Sequence, residues 1–136
     1  MSQWTKWRPL REIVSAPIPP EPGAYIIATL KAIHRAKGID CAGILHIGES
    51  EHLRSRIRAF WRCASQPGAM GHMAGWRYRT YRMDRHFPLD DLQVKWRATT
   101  TKPLAYALEA KELRKYFAAH LELPPLNYKF NWSEVE

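Results

Sequence analysis

Apolar and polar positions alternate along the chain in blocks that predict short strands and longer helices. Residues 24–30 hold Tyr25, Ile26, Ile27 and Thr29 with almost no charge, the pattern of a strand covered on both faces. Residues 31–42 are polar, contain Gly38 and read as a connection. Residues 43–47 are a second strand that Gly48 ends, and the two strands predict an antiparallel hairpin with a long, decorated loop. Beyond it, Leu53, Ile57, Phe60 and Trp61 fall on one face of a helix at about 100° per residue, with Ser50 as the expected N-cap. Over residues 92–98, Leu92, Val94 and Trp96 alternate with Gln93, Lys95 and Arg97, which predicts a third strand. From Thr101, with Pro103 in the first turn, Tyr106, Ala110, Leu113 and Phe117 recur as an inward helical stripe to about His120. Pro124 and Pro125 then stop the helix.

Two stretches are less regular. Residues 1–21 form a proline-rich arm, whose Trp4 and Trp7 cover a core edge or offer a platform for stacking bases. Residues 64–75 are rich in Gly and Ala and read as a loop, in which His72 is a mobile residue within reach of a phosphate. Residues 76–82 then alternate aromatic and basic side chains. That suits a half-buried strand or extended segment, and equally a surface that contacts nucleic acid through stacking and charge. A chain of 136 residues is one domain by length. The expected fold is α/β, a small, mainly antiparallel three-stranded sheet flanked by helices.

Charge narrows the partner. The chain carries a formal +8. Ten Lys or Arg lie between Arg54 and Arg97, against only Asp84, Asp90 and Asp91, while residues 133–136 form an acidic tail. Such a block suits a polyanion, most simply nucleic acid. Arg54, Arg58 and Arg62 repeat every four residues on the polar side of the first helix, and they join Arg77 and Arg79 as expected backbone contacts. Cys41 and Cys63 have neither metal-ligand nor disulfide spacing, which predicts a reduced, cytoplasmic protein. The N-terminus shows no leader pattern, and no apolar run approaches the ~20 residues of a membrane span.

Four residues converge in this scheme. Tyr25 and His46 sit on the paired strands, Arg56 at the margin of the first helix's apolar face, and Glu109 at the edge of the second helix's stripe. Phosphodiester hydrolysis needs an activated water, neutralisation of charge on the phosphate, and relief for the leaving oxygen. A single carboxylate suits Mg²⁺ or Mn²⁺, and a guanidinium presents a planar fork to phosphate.

The segments Gly23-Ala24-Tyr25 and His46-Ile47-Gly48, with an arginine on the next helix, resemble the GIY-YIG nuclease family over about residues 22–128. The resemblance implies a metal-dependent endonuclease acting on DNA. It further implies that Tyr25 acts on the attacking water, that Arg56, eight residues after Gly48, contacts the phosphate, and that Glu109 holds one metal ion. It assigns a supporting role to Asn127, which follows a proline-rich turn. Nothing in the chain reads a 2′-hydroxyl, so RNA stays open as a substrate. There are departures. Ala24 replaces an isoleucine, and His46 stands where a tyrosine is usual. An imidazole titrates near neutral pH, so His46 can share or take the base role. Phe60 stands where many members carry a histidine. A non-catalytic nucleic-acid-binding module that keeps the nuclease fold is therefore the competing expectation. A subunit whose basic face docks an acidic protein is a further one.

Overall fold

The computed structural model describes residues 2–131, and the acidic tail expected at 133–136 lies outside them. In chain order the elements are β1 (Arg8–Pro9), β2 (Gly23–Ala28), β3 (Ile33–His34), β4 (Ile39–Asp40), β5 (Ile44–Ser50), α1 (Leu53–Ser65), α2 (Met73–Thr80), β6 (Gln93–Ala98) and α3 (Lys102–His120). The architecture is α/β. Its main sheet has four antiparallel strands in the order β1-β6-β2-β5. The expected count of three is corrected by β1, a two-residue strand contributed by the N-terminal arm. The polar connection between β2 and β5 holds a separate ribbon, β3 with β4.

β2 is the central strand, and all six of its residues are buried, as its lack of charge predicted. It pairs with β5 in a register that places Tyr25 opposite Gly48 and Ile27 opposite His46. The strand does not end at Gly48 but continues to Ser50. A register shift beside Ile27 and Ala28 lets Leu45 join the same core as Tyr25. On that face α1, α2 and the 3-10 turn Leu10–Ser15 enclose the larger apolar cluster, including Ile57, Phe60, Tyr78 and Trp96. On the opposite face α3 packs Leu113 and Tyr116 onto Ile26 and Ile47, and Trp4 and Trp7 close this smaller cluster. Lys95 lies over both tryptophan rings, 5.3 and 4.8 Å from their centroids.

Several local expectations change. α1 is N-capped by His52, whose Nδ1 accepts from the Ser55 N–H, while Ser50 Oγ accepts from the His52 N–H. Residues 73–80 are the helix α2, not a loop followed by a strand. Gly75 lets α2 lie close on α1, since a Cβ there would stand 2.8 Å from the Phe60 carbonyl. α3 begins behind Thr101, whose hydroxyl accepts from the Leu104 N–H. Its buried positions are Ala105, Leu108, Ala110, Leu113 and Tyr116. Tyr106 is 41% exposed and Phe117 only half-buried, so the expected stripe is rotated. Among the described residues no helix is long and apolar enough to cross a membrane.

Candidate active site

A pocket of about 410 Å³ opens along β5, the edge strand, where helices from both faces of the sheet come together. β2 contributes Tyr25, β5 contributes His46 to Glu49, α1 contributes Arg56, α2 contributes Met73, Ala74 and Arg77, and α3 contributes Tyr106 and Glu109. His72 and residues 127–131 complete the lining. The four residues expected to converge do so.

Gly48 makes room for the phenol. A Cβ at that position would lie 2.5 Å from the Tyr25 ring and hydroxyl. Tyr25 is only 1% exposed, and burial pushes its phenol up, with the nearby Arg56 charge pulling the other way. Its hydroxyl lies 2.6 Å from His72 Nε2 and 3.4 Å from His46 Nε2. His72 N-caps α2, with Nδ1 accepting from the Gly75 N–H. A neutral His72 therefore carries its proton on Nε2 and donates it to the Tyr25 oxygen. The phenol's own proton is left to point at His46 or into the pocket. His46 lies stacked on Phe60, with its Nδ1 buried and without a hydrogen-bond partner among the described residues. Burial, then the charges of Arg77 and Arg56, pull its pKa down to about 3. Burial likewise pulls His72 down to about 2. Both rings are neutral.

Two guanidiniums line this neutral layer. Arg56 Nη1 donates to the Gly71 carbonyl at 3.0 Å. Arg77 lies 4.8 Å from the Tyr128 ring centroid, and its Nε and Nη2 are buried without a hydrogen-bond partner among the described residues. Donors of that kind suit an anionic oxygen.

Glu109 forms the opposite wall. Its Oε1 accepts from Asn131 Nδ2 at 3.0 Å, and Asn131 also donates to the Tyr106 carbonyl. Burial pushes the carboxyl up to about 7, against the Asn131 hydrogen bond, and the nearby Glu49 charge adds to the rise. Glu49 is itself held by Lys102 Nζ at 2.6 Å. Among the described residues no ion pair reaches Glu109, and no three His, Cys, Asp or Glu side chains gather as a metal-ligand group. Asn127 fixes the edge strand, its side chain accepting from the Ile47 N–H and donating to the Ile47 carbonyl, both at 2.9 Å.

The arginines expected on the outside divide. Arg58 and Arg62 are exposed, and Arg79 is half-buried away from the pocket lining. Arg54 is half-buried, with Nε donating to the Ile18 carbonyl, so it anchors the N-terminal arm. Arg77 belongs to the pocket itself. His72 is neither mobile nor peripheral: it is 2% exposed and bonded to Tyr25. Sequence reasoning missed that role, the lining role of Arg77, and Asn131. A histidine just before a helix start is the one local sign for His72, and it was hidden because α2 itself was not recognised.

Comparisons with protein-family models, with curated proteins and with solved structures each return no match.

Proposed function

We propose that this chain is a divalent-metal-dependent endonuclease that hydrolyses DNA phosphodiester bonds in the pocket along β5. The arrangement we infer is similar to that of the GIY-YIG nucleases. The observation that supports it most is that Tyr25, His46, Arg56 and Glu109, from four separate elements, line one pocket.

In this reading the phosphate lies against Arg56 and Arg77, whose planar donors offset the charge that builds on its oxygens. The water oxygen bonds to phosphorus as the bond to the leaving oxygen breaks, and the leaving oxygen takes a proton from solvent water at the open side of the pocket. The water proton passes to the Tyr25 oxygen as the phenol's proton passes to His46 Nε2, a transfer that the charge of the bound phosphate has to favour, because burial and the charges of Arg77 and Arg56 otherwise hold His46 at about 3. His72 holds the Tyr25 oxygen in place. Glu109 fits Mg²⁺ or Mn²⁺: it is a hard oxygen donor in no ion pair among the described residues, and burial raises its pKa to about 7 although the charges of Lys102 and Lys129 act against the rise. When bound, such an ion supplies charge neutralisation at the phosphate and the leaving oxygen. DNA is the substrate of this proposal, with RNA a second arm of its test. The reduced cytoplasm is the compartment assigned, since Cys41 and Cys63 are free thiols.

A second reading, a non-catalytic nucleic-acid-binding module, is favoured by the depth of the base. Tyr25 is almost fully buried, and His46 resists protonation down to about pH 3. Nicking of supercoiled plasmid separates the two. The nuclease reading expects nicked circles with Mg²⁺ or Mn²⁺, none in EDTA, and none from Glu109→Ala. DNA bound but uncut with either metal selects the binding module. Absence of DNA and RNA binding at low salt overturns both.

A further inference from the structure

An apolar groove of about 270 Å³ lies beside the candidate active site, lined by Met70, Gly71, His72, Met73 and Trp76. We propose that it takes an unpaired nucleobase adjacent to the phosphate being cut, so that DNA with a frayed or single-stranded end is preferred over intact duplex. This rests on the nuclease reading and names its substrate class.

His72 and Met73 line both the groove and the pocket, so a ligand in one adjoins a ligand in the other. The groove is smaller than the ~300–1,000 Å³ of drug-sized sites, which suits one flat ring. Its polar side-chain groups are the His72 imidazole and the Trp76 indole N–H. Met70 is 72% exposed and Met73 54%, so among the described residues nothing covers these two polarisable thioethers. Trp76, half-buried, meets Tyr81 edge-on at 6.1 Å.

Charge chooses the occupant. Arg62 Nη2 sits on the Met70 carbonyl at 3.2 Å, and Arg56 Nη1 on the Gly71 carbonyl, so guanidiniums flank an apolar slot. From Arg54 to Met83 the sequence has seven arginines and no Asp or Glu. An apolar peptide uses the slot and leaves the arginines idle; a nucleotide uses both, its ring on sulfur and indole and its phosphate on guanidinium. A paired base is stacked between its neighbours and reaches such a slot only by unstacking, whereas an unpaired base enters at little cost.

The test is binding in metal-free buffer. Two duplexes of equal length and charge are compared, one blunt and one with a short overhang carrying 2-aminopurine. The overhang is expected to bind about tenfold more tightly, with its fluorescence quenched. Trp76→Ala should abolish that preference and the quenching while leaving blunt-duplex affinity unchanged, and Trp76→Phe should restore both. Met70→Ala, at an exposed position, gives the same comparison if Trp76→Ala does not fold. Equal binding of the two duplexes by the native chain overturns the proposal, as does a variant that weakens both equally. Added Mg²⁺ separates it from the nuclease reading. A preference that persists without any cutting overturns the nuclease reading, while cutting of both duplexes at one rate overturns the groove.

Discussion

The two walls of the pocket solve opposite problems with the same physics. One wall is Tyr25, His46 and His72 against Phe60, buried, aromatic and neutral. The other is Glu109, an acid held by one amide hydrogen bond, with Glu49 nearby. Burial penalises the charged form of any group, so it lowers the imidazoles and raises the carboxyl. The neutral wall gains from staying neutral. The acidic wall is the strained one, and a cation would relieve it. An anion would satisfy the unpartnered Arg77 donors. In the proposed reading, a cation at Glu109 and an anion at Arg77 would together complete the pocket's charge balance.

The sharpest way to break this contrast is Glu109→Gln, which keeps the shape and removes the charge. Metal-dependent cutting is expected to fall by roughly 10²–10³-fold or more, with DNA affinity little changed. Plasmid nicking and fluorescence anisotropy read the two separately. Stability should move the other way. The folded pKa of Glu109 is raised above its ordinary 4.5, so the unfolded chain gives up the proton first. Stability is complete below about pH 4.5 and falls as pH rises through about 7. The variant should therefore melt a few degrees higher than the native chain at pH 8 without metal, a gain of roughly 1–3 kcal/mol. An unchanged or lower melting point removes the strain from the acidic wall.

His72 tests the neutral wall. His72→Asn keeps an acceptor for the Gly75 N–H and withdraws the donor from Tyr25. The Tyr25 oxygen loses its nearer partner and keeps the 3.4 Å contact with His46, which costs about 1–3 kcal/mol of stability, and turnover should drop ~10- to 100-fold. His72→Gln, which can reach Tyr25 through its amide, should recover part of the rate. The pH dependence is the readout that simple loss of packing does not mimic. His46 and His72 have folded pKa values of about 3 and about 2 against an ordinary 6.5, so the unfolded chain binds more protons below pH 6.5. Their contribution is complete above pH 6.5 and is lost as pH falls. The variant removes one such proton, and urea titrations should show a slope shallower by ~1.4 kcal/mol per pH unit.

How much of this was legible follows from where each signal resides. β2 is marked by its lack of charge, β6 by its alternation and α3 by its helical repeat, all local signals that the sequence reveals. Glu109 was readable because its angle beside Leu113 is a property of the helix alone. Tyr106 was misassigned because a period cannot tell where the opposing sheet stops. It lies near the start of α3, where the helix borders the pocket instead of Ile26 and Ile47. β1 is two residues, one of them a proline, and exists because Val94 and Gln93 are there to pair with. α2 buries only Ala74, Gly75 and Tyr78, too few positions for a helical period, while its Arg-Tyr-Arg alternation imitates a strand. The bond from His72 to Tyr25 joins residues 47 apart, and neither residue's neighbours announce it.

The smallest effects lie outside both walls, on α1. Arg58 and Arg62 are exposed and, among the described residues, donate only to the Val14 and Met70 carbonyls, the first at a long 3.4 Å. Arg54 differs, with its Nε at 2.9 Å from the Ile18 carbonyl. Charge removed at Arg58 should act on a phosphate backbone alone. Arg58→Gln is expected to reduce the slope of log affinity against log salt by at most about 0.9, and affinity by a few-fold, without changing the cutting rate at saturating DNA. Arg54→Gln should instead lower the melting temperature, because it frees the N-terminal arm. Anisotropy across a salt series, with melts alongside, distinguishes the two. A cutting rate that falls with Arg58→Gln at saturation would extend the pocket onto the outer face of α1 and erase the difference between walls and rim.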